Sequence, residues 1–239
     1  MDRAVARAIS LIEILARAPE PMRLTDLAKA ADLQKSTVHR LLTTLTALGH
    51  ARQTDSGRYA ADLKTWEIGA QIAANLPIKK IAAGFLFSLH RTTGETVSLT
   101  LLSGSDVLYL EKIIAPRPVQ FRSRVGSRIP APLTASGKAI LARRPDGADL
   151  ARRAAAPLNL DIPALEAELS EVRARGYALS GYSPGVLSIG VAVAAGGAAP
   201  VAGLSVSAPA DRLAVDDRLP VVDALLETAA RMGEALDRT

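Results

Sequence analysis

The sequence predicts an α+β protein, with a helical first part and a second part in which helices flank a mainly antiparallel sheet. Two observations carry this prediction. In the first part the apolar residues recur mostly at helical spacing, i, i+3, i+4 and i+7. From Glu95 onward, short runs alternate apolar and polar residues and are separated by turns and further helices, which indicates strands.

The bulk composition fits one large or two ordinary folded domains. Of the 239 residues, 49% are hydrophobic and 22% are charged, and the net charge of +5 suits a polyanionic partner. Cysteine is absent, which excludes disulfides and thiolate metal sites and fits a reducing cytoplasm. Acids and arginines interrupt the apolar N-terminus, so no signal peptide is predicted.

A run without any charged residue, 176–210, raises the question of a membrane span. Its composition predicts two buried strands instead. Gly196 and Gly197 split the run, and Pro184 and Pro200 interrupt it. We therefore expect a strand–turn–strand segment and no membrane partner.

Three helices are predicted at the start of the chain. Residues 4–16 form the first, which Pro19 ends. Residues 24–31 form a short second helix, a turn follows at 32–34, and a longer helix spans 34–48. A short helix, a three-residue turn and a longer polar-faced helix are the helix-turn-helix pattern.

The third helix presents hydrogen-bond donors opposite its apolar stripe. Its polar face contains no acid and consists of Ser36, Thr37, His39, Arg40, Thr43 and Thr44. Arginine can fork onto guanine in the major groove, and hydroxyls can reach phosphates or base edges. The face therefore predicts DNA binding, with an ordinary solvated surface helix as the alternative.

Two short extended pieces, 50–54 and 58–61, flank the turn residues Asp55-Ser56-Gly57. A hairpin directly after such a helix is a wing, where Arg52 and Arg58 would reach phosphates or a minor groove. The alternative is a solvated hairpin with two ordinary surface arginines. Residues 62–75 then form a candidate linker helix, in which Trp66 is expected to pack.

The second part alternates strands and helices. A hairpin is predicted over 95–113. Further strands are predicted at 119–125, 177–179, 186–193 and 201–207, and helices at 78–91, 134–141, 161–175 and 219–236.

A candidate binding site lies where small residues 134–137 open a helix, because bare amides and the helix dipole attract anions. Ser205 and Ser207 lie two apart on a strand, so both hydroxyls face one side, and Ser188 joins them if the strands pair. Together these groups suit a small carboxylate. Apolar walls are assigned to Phe121 and Ile129. The alternative is that small residues only allow close packing of helix on sheet.

Catalysis is not predicted. No catalytic residue, metal ligand or cofactor site is assigned, because the charge-free run lacks the carboxylates of a general acid or base and no nucleophile, phosphate-loop or metal motif occurs. The three histidines stand apart from any cluster of metal ligands.

The chain resembles the isocitrate lyase regulator (IclR) family of bacterial transcription regulators over essentially its full length. The matching stretches are RAISLIEILA, LTDLAKAADLQKSTVHRLLTTLTALGHARQ, GRYA, TGETVSL, VGSRIPAPLTASGKAIL, RARGYALS, PGVLSIGVAV and GLSVSAPADRL. The resemblance implies an N-terminal winged helix-turn-helix, a linker helix and a GAF-like effector-binding domain. It also implies a homodimer formed through the DNA-binding half, with pairing into a dimer of dimers, and an effector that is a small organic or aromatic acid.

Carried over by position, the resemblance assigns DNA contacts and effector contacts. The DNA contacts are Lys35, Ser36, Thr37, His39 and Arg40. The effector contacts are Ala135, Ser136, Ser188, Ser205 and Ser207, near Phe121 and Ile129. Two features depart from the family pattern: Ser188 replaces a frequent cysteine, and the loop 180–183 lacks the usual acids and looks shortened. A less charged pocket is therefore expected.

These observations predict a ligand-responsive DNA-binding regulator, acting as a repressor on a palindromic double-stranded operator. The expected domains are 1–61 (winged helix-turn-helix), 62–76 (linker helix) and 77–239 (effector-binding domain). Two alternatives stay open: an enzyme that uses the cavity of the second domain, and a ligand-blind DNA-binding protein with the same fold.

Overall fold

The computed structural model describes residues 2–116, 123–213 and 218–238. The chain divides into two compact units, Met1–Asn75 and Leu76–Thr239. The helix over the predicted linker falls in the first unit, whereas the sequence placed it between two domains. The division into 1–61, 62–76 and 77–239 stays a prediction about how the chain works.

The first unit is the predicted winged helix-turn-helix. Its elements are α1 (Arg3–Arg17), α2 (Leu24–Ala30), α3 (Lys35–Ala47), β1 (Ala51–Gln53), β2 (Tyr59–Ala61) and α4 (Leu63–Ala74). The antiparallel strands β1 and β2 form the wing, and Met22 adds an isolated bridge to Tyr59. Leucines from α1, α2 and α3 form its core, among them the fully buried Leu11, Leu27 and Leu42.

The turn between α2 and α3 depends on Asp32, which adopts a left-handed conformation with φ 52°. Aspartate tolerates this conformation better than most residues. Gln34 occupies the N-cap position of α3 without a capping side-chain bond, and the helix begins at Lys35. The start of α3 is therefore fixed by the turn and by the burial of Val38, Leu41 and Leu42 rather than by a cap.

Helix α4 is capped by Asp62, whose side chain accepts a hydrogen bond from the backbone N–H of Leu63. None of its residues is buried. Trp66 is 69% exposed, so within one chain it does not pack as the sequence suggested.

The second unit is built on one six-stranded antiparallel sheet with strand order β5-β4-β3-β8-β7-β6. Its strands are β3 (Thr96–Ser103), β4 (Asp106–Ile113), β5 (Arg128–Pro130), β6 (Ala178–Ser180), β7 (Val186–Val193) and β8 (Ala202–Pro209). Its helices are α5 (Pro77–Thr93), α6 (Ala135–Arg143), α7 (Gly147–Ala155), α8 (Ile162–Arg175) and α9 (Leu219–Leu236). The charge-free run forms β6, β7 and β8, close to the strands predicted at 177–179, 186–193 and 201–207, so it holds three strands rather than the two expected from its composition alone.

The alternation along each strand separates two faces of the sheet. Val97, Leu99 and their neighbours pack with the apolar residues of α5 and α9. Ser98 and Thr100 point to the opposite face, where Thr100 bonds to Ser136 of α6. One face is therefore a conventional apolar core, and the other carries buried hydroxyl groups.

One predicted strand needs correction or lies outside the described residues, and two elements were not predicted. Of the strand predicted at 119–125, residues 119–122 lie outside the described ranges and residues 123–125 are not in a strand. Strand β5 and helix α7 were not predicted. β5 has only three residues and α7 only nine, which is short for recognition by periodicity.

Within the described ranges, no single helix is long and apolar enough to cross a membrane, although the consecutive helices α4 and α5 reach that length and hydropathy when taken together.

Candidate functional site

The outer face of α3 presents most of the residues predicted to contact DNA. Lys35, Ser36, His39, Arg40 and Thr43 are exposed, and Thr37 is half-buried. The hydroxyl of Thr43 donates to the carbonyl oxygen of His39 at 3.0 Å. The cationic and imidazole side chains are therefore the principal donors that this face offers to a partner.

The two wing arginines have different environments. Arg52 is exposed. Arg58 is half-buried, and its guanidinium donates to the carbonyl oxygen of Pro21 at 3.4 Å. Arg52 is available to a partner, whereas Arg58 also links the wing to the segment before α2.

The second unit contains a small polar cavity between the start of α6 and the hydroxyl-bearing face of the sheet. It is lined by Tyr109, Ser123, Thr134, Ala135, Ser180, Tyr182, Ser183, Ser188, Ser205 and Ser207. Its free volume is about 20 Å³, which is room for about one water molecule. None of the described lining residues carries a charge, which agrees with the less charged pocket expected from the sequence.

Strand pairing brings the predicted serines together. Ser188 pairs in register with Ser180 on one side and with Ser207 on the other. The hydroxyl oxygens of Ser188 and Ser207 lie 2.7 Å apart. Ser205 lies two residues from Ser207 and also lines the cavity, so the alternation along β8 placed both hydroxyls correctly.

Helix α6 begins over this cavity because glycine allows the sheet to approach it. A Cβ atom on Gly190 would lie 2.3 Å from the backbone nitrogen of Ser136. Thr134 caps the helix by accepting a hydrogen bond from the N–H of Gly137 at 3.0 Å. Ala135, at the first position of the helix, lines the cavity.

Three residues assigned to the effector site are not among the described residues that line this cavity. Ser136 accepts a hydrogen bond from Thr100 at 2.9 Å, so it serves the packing of α6 on the sheet. Ile129 is buried in the apolar cluster beside Val107. Phe121 lies outside the described residues.

Five lining residues were not assigned to the site from the sequence: Tyr109, Ser123, Ser180, Tyr182 and Ser183. Tyr109 faces the cavity because strand β4 contains a bulge. The bulge shifts the pairing of β4 with β3 between Leu99 and Thr100. Burial raises the pKa of Tyr109, and a hydrogen bond to Ser123 partly opposes that shift. Strict alternation could not have placed this side chain, since the bulge breaks the period.

In the part of the chain that the structure describes, no group of three or more histidine, aspartate or glutamate side chains could hold a metal ion.

A winged helix-turn-helix followed by an α+β unit with a buried polar cavity defines a class, the transcription regulators that couple a DNA-binding domain to a sensing domain. The chain belongs to the IclR family. The family description "Bacterial transcriptional regulator IclR C-terminal" matches residues 70–233, and "IclR helix-turn-helix domain" matches residues 4–55. The family resemblance read from the sequence is confirmed.

Relatives extend over nearly the whole chain. The probable transcriptional regulator SauR of Cupriavidus necator is 30% identical, over 97% of this chain and 96% of that protein. The transcriptional repressor IclR of Escherichia coli is 27% identical, over 96% of this chain and 88% of that protein. An IclR homolog from Microbacterium hydrocarbonoxydans, solved with 4-hydroxybenzoate, shares the fold with a TM-score of 0.85 at 23% identity, over 99% of this chain and 100% of that chain.

Proposed function

We propose that this regulator binds a palindromic operator as a homodimer and releases it in response to a small organic or aromatic acid, acting as a repressor in the cytoplasm. The observation that carries the proposal is the cavity in which Ser188, Ser205 and Ser207 converge beneath the start of α6. Hydroxyls and helix N-terminal amides are donors for a carboxylate. Only a ligand with different affinities for two conformations of the protein can act on the operator.

The DNA half of the proposal rests on the exposed donors of α3. Lys35, His39 and Arg40 project from a helix whose opposite stripe is buried in the core. Ser36, Thr37 and Thr43 are assigned hydroxyl contacts to phosphates or base edges, and Arg52 and Arg58 are assigned backbone or minor-groove contacts.

A homodimer is supported by apolar side chains that the first unit leaves exposed on two helices. On α1, Val5 is 56% and Ile9 51% exposed. On α4, Leu63, Trp66 and Ile72 are between 62% and 70% exposed. Burial of such residues against a second copy would stabilise an interface and present two α3 helices to one operator, with a dimer of dimers as a further step.

The acid half of the proposal concerns a cavity with about 20 Å³ of free volume, so binding requires the cavity to widen. The 4-hydroxybenzoate bound to the Microbacterium homolog makes aromatic acids the first compounds to test. A thermal-shift screen of carboxylic and aromatic acids tests this directly, because a ligand that binds the folded state raises the melting temperature.

Removal of the converging hydroxyls supplies the specific test. Ser205→Ala combined with Ser207→Ala is expected to abolish the shift produced by an active acid, while the protein without acid still binds its operator. Ser98→Ala is the matched control, because Ser98 is a buried serine paired with Ser205 and is not among the described lining residues. Equal shifts in the double variant and the wild type would contradict the assignment.

A ligand-blind DNA-binding protein is the second candidate, and the small cavity volume favours it. It predicts operator binding with no shift from any acid in the screen. An enzyme is disfavoured, because the named relatives are transcription regulators and the described cavity lining lacks a charged acid or base. Turnover of an acid by the purified protein would reverse that choice.

A further inference from the structure

Lys112 is a half-buried cation beside the hydroxyl-lined cavity. It lies on β4 in register with Ser98, on the sheet face that carries the buried hydroxyls. Its Nζ donates to the carbonyl oxygen and to the hydroxyl of Ser123, each at 2.9 Å. Ser123 lines the cavity, so the ammonium group is one residue away from the cavity space.

The bulge in β4 creates this arrangement. In a regular strand Tyr109 and Lys112, three residues apart, would face opposite sides. The register shift at Leu99 and Thr100 places Tyr109 opposite Thr100 and Lys112 opposite Ser98, which both face α6. Tyr109 and Ser123 both line the cavity, and the hydroxyl of Ser123 accepts a hydrogen bond from Lys112, so the phenol and the ammonium lie on the same side of the sheet.

Glu111 and Lys112 are adjacent charged residues of β4, and only Lys112 lies on the cavity side of the sheet. Glu111 faces the opposite side of the sheet, where it pairs with Lys79 of α5. The described cavity lining contains no charged group, and Lys112 donates a hydrogen bond to Ser123, which is one of the lining residues.

We propose that the Lys112 ammonium is the counter-ion of the effector carboxylate, so that this cavity selects monocarboxylate anions over neutral molecules of the same shape. The inference rests on the proposed effector function and adds its electrostatic selectivity. Ser123 positions the ammonium, and the hydroxyls of Ser188, Ser205 and Ser207 complete the donor set around the carboxylate.

The proposal predicts a characteristic pH dependence. Burial lowers the pKa of Lys112 to about 8. A bound carboxylate stabilises the charged form, so binding above pH 8 requires uptake of a proton and weakens by up to about tenfold per pH unit. Among the described residues, the ionisable groups on this side of the sheet include Tyr109 and Tyr182 of the cavity lining and Lys138 of α6, which pairs with Glu168 of α8.

The test uses matched pairs of acids and amides, benzoate with benzamide and 4-hydroxybenzoate with 4-hydroxybenzamide, measured by calorimetry on the full chain. Wild type is expected to prefer each acid. Lys112→Gln is expected to weaken acid binding by about 10- to 100-fold, the range of a hydrogen bond to a charged group, and to leave amide binding within about threefold. Circular dichroism and the melting temperature establish that each variant is folded.

Two further variants separate charge from structure. Lys112→Arg is expected to keep the acid preference but to lose the pH dependence above 8, because arginine stays charged. Lys79→Gln is the matched control, since Lys79 is a half-buried lysine that contacts the same strand from its other face. It is expected to bind acids as wild type does.

Each outcome decides something. If Lys112→Gln binds the acids as wild type does, or if wild type binds the amides equally well, the counter-ion role is overturned while the effector function stands. If neither acid binds wild type although other acids raise its melting temperature, those acids and their amides are compared in the same way, and equal affinity for acid and amide overturns the counter-ion role. If no acid binds at all, both proposals fail.

Discussion

Arg40 is the exposed guanidinium of α3, and it defines the sharpest single-residue test of DNA binding. Arg40→Ala is expected to weaken binding to a duplex selected from a random pool by the wild-type protein. The loss should be about 1–3 kcal/mol if Arg40 contacts a base, with relaxed preference at one position of the site. Fluorescence anisotropy at fixed salt measures it.

Arg17→Ala is the matched control for Arg40. Arg17 is an exposed arginine of the same unit that pairs with Glu13 on α1, so its loss changes the net charge by the same amount. Unchanged affinity in Arg40→Ala, or an equal loss in Arg17→Ala, would contradict the assignment of α3 as the DNA-reading helix.

Lys112 also makes a prediction about stability. The pKa of Lys112 is about 8 in the folded protein, whereas in the unfolded chain it is about 10.4. Between these values the unfolded state binds more protons, so this residue makes folding more favourable as pH rises from 8 to 10. Burial raises the pKa of Tyr109, so the titration of this residue changes stability only at higher pH.

Melting temperatures at pH 7 and pH 9.5 check this sign. Relative to Lys112→Gln, wild type should gain stability at the higher pH, while Lys112→Arg should show no gain. A constant difference between wild type and Lys112→Gln across this range would show that burial does not shift the titration of Lys112.

Some site residues were predictable from sequence and others were not. Ser205 and Ser207 followed from the two-residue period of a strand, and Ser188 followed from hairpin pairing. Tyr109 and Lys112 did not, because a one-residue bulge reverses the side to which a strand residue points.

At the level of elements, the contact between α6 and the sheet depends on glycine. Gly190→Ala would place a Cβ atom 2.4 Å from the carbonyl carbon of Ala135, in backbone that cannot yield. Overpacking of this kind costs about 1–3 kcal/mol or more. We therefore expect a displaced helix start and a lower free energy of unfolding. Denaturant titration measures the free energy.

Gly84→Ala is the control for the chemical change alone. Gly84 lies inside α5, and nothing lies within 4 Å of an added Cβ. Alanine is the better helix former, so this variant should gain about 0.5–1 kcal/mol. If Gly190→Ala and Gly84→Ala changed the free energy of unfolding similarly, the close approach of β7 to α6 would not explain the glycine at position 190.

The elements that sequence predicted best have either a clear periodic pattern or, like the helix that Asp161 caps and Gly176 ends, clear end signals. Helices α3, α8 and α9 and the strands of the charge-free run lie close to their predicted bounds. Helix α7 is short and lacks a capping side-chain bond at its start, and β5 is set by pairing with β4, so neither was recognised from its local sequence.

For the whole molecule, the exposed apolar residues of α1 and α4 predict a homodimer. Trp66→Ser together with Ile72→Ser should shift the protein toward monomer and weaken binding to a palindromic duplex more than to its half-site. Sedimentation measures the mass. Leu219→Ser, at an equally exposed leucine of the second unit, should leave the mass unchanged.

A dimer that survives the double substitution, with wild-type affinity for the palindrome, would place the interface elsewhere.

The family was recognisable from motifs in order along the chain. The interface was not, because a single sequence does not distinguish an apolar stripe that packs within its own chain from one that packs on a second copy.

The most direct measurement is the affinity of the wild-type protein for its selected duplex, with and without an acid that raises its melting temperature. Coupling between an effector site and a DNA-binding site amounts to about 1–3 kcal/mol. The dissociation constant for DNA should therefore rise about 5- to 150-fold when the acid saturates its site. An unchanged constant, with the acid demonstrably bound, would contradict the proposed control of DNA binding by this cavity.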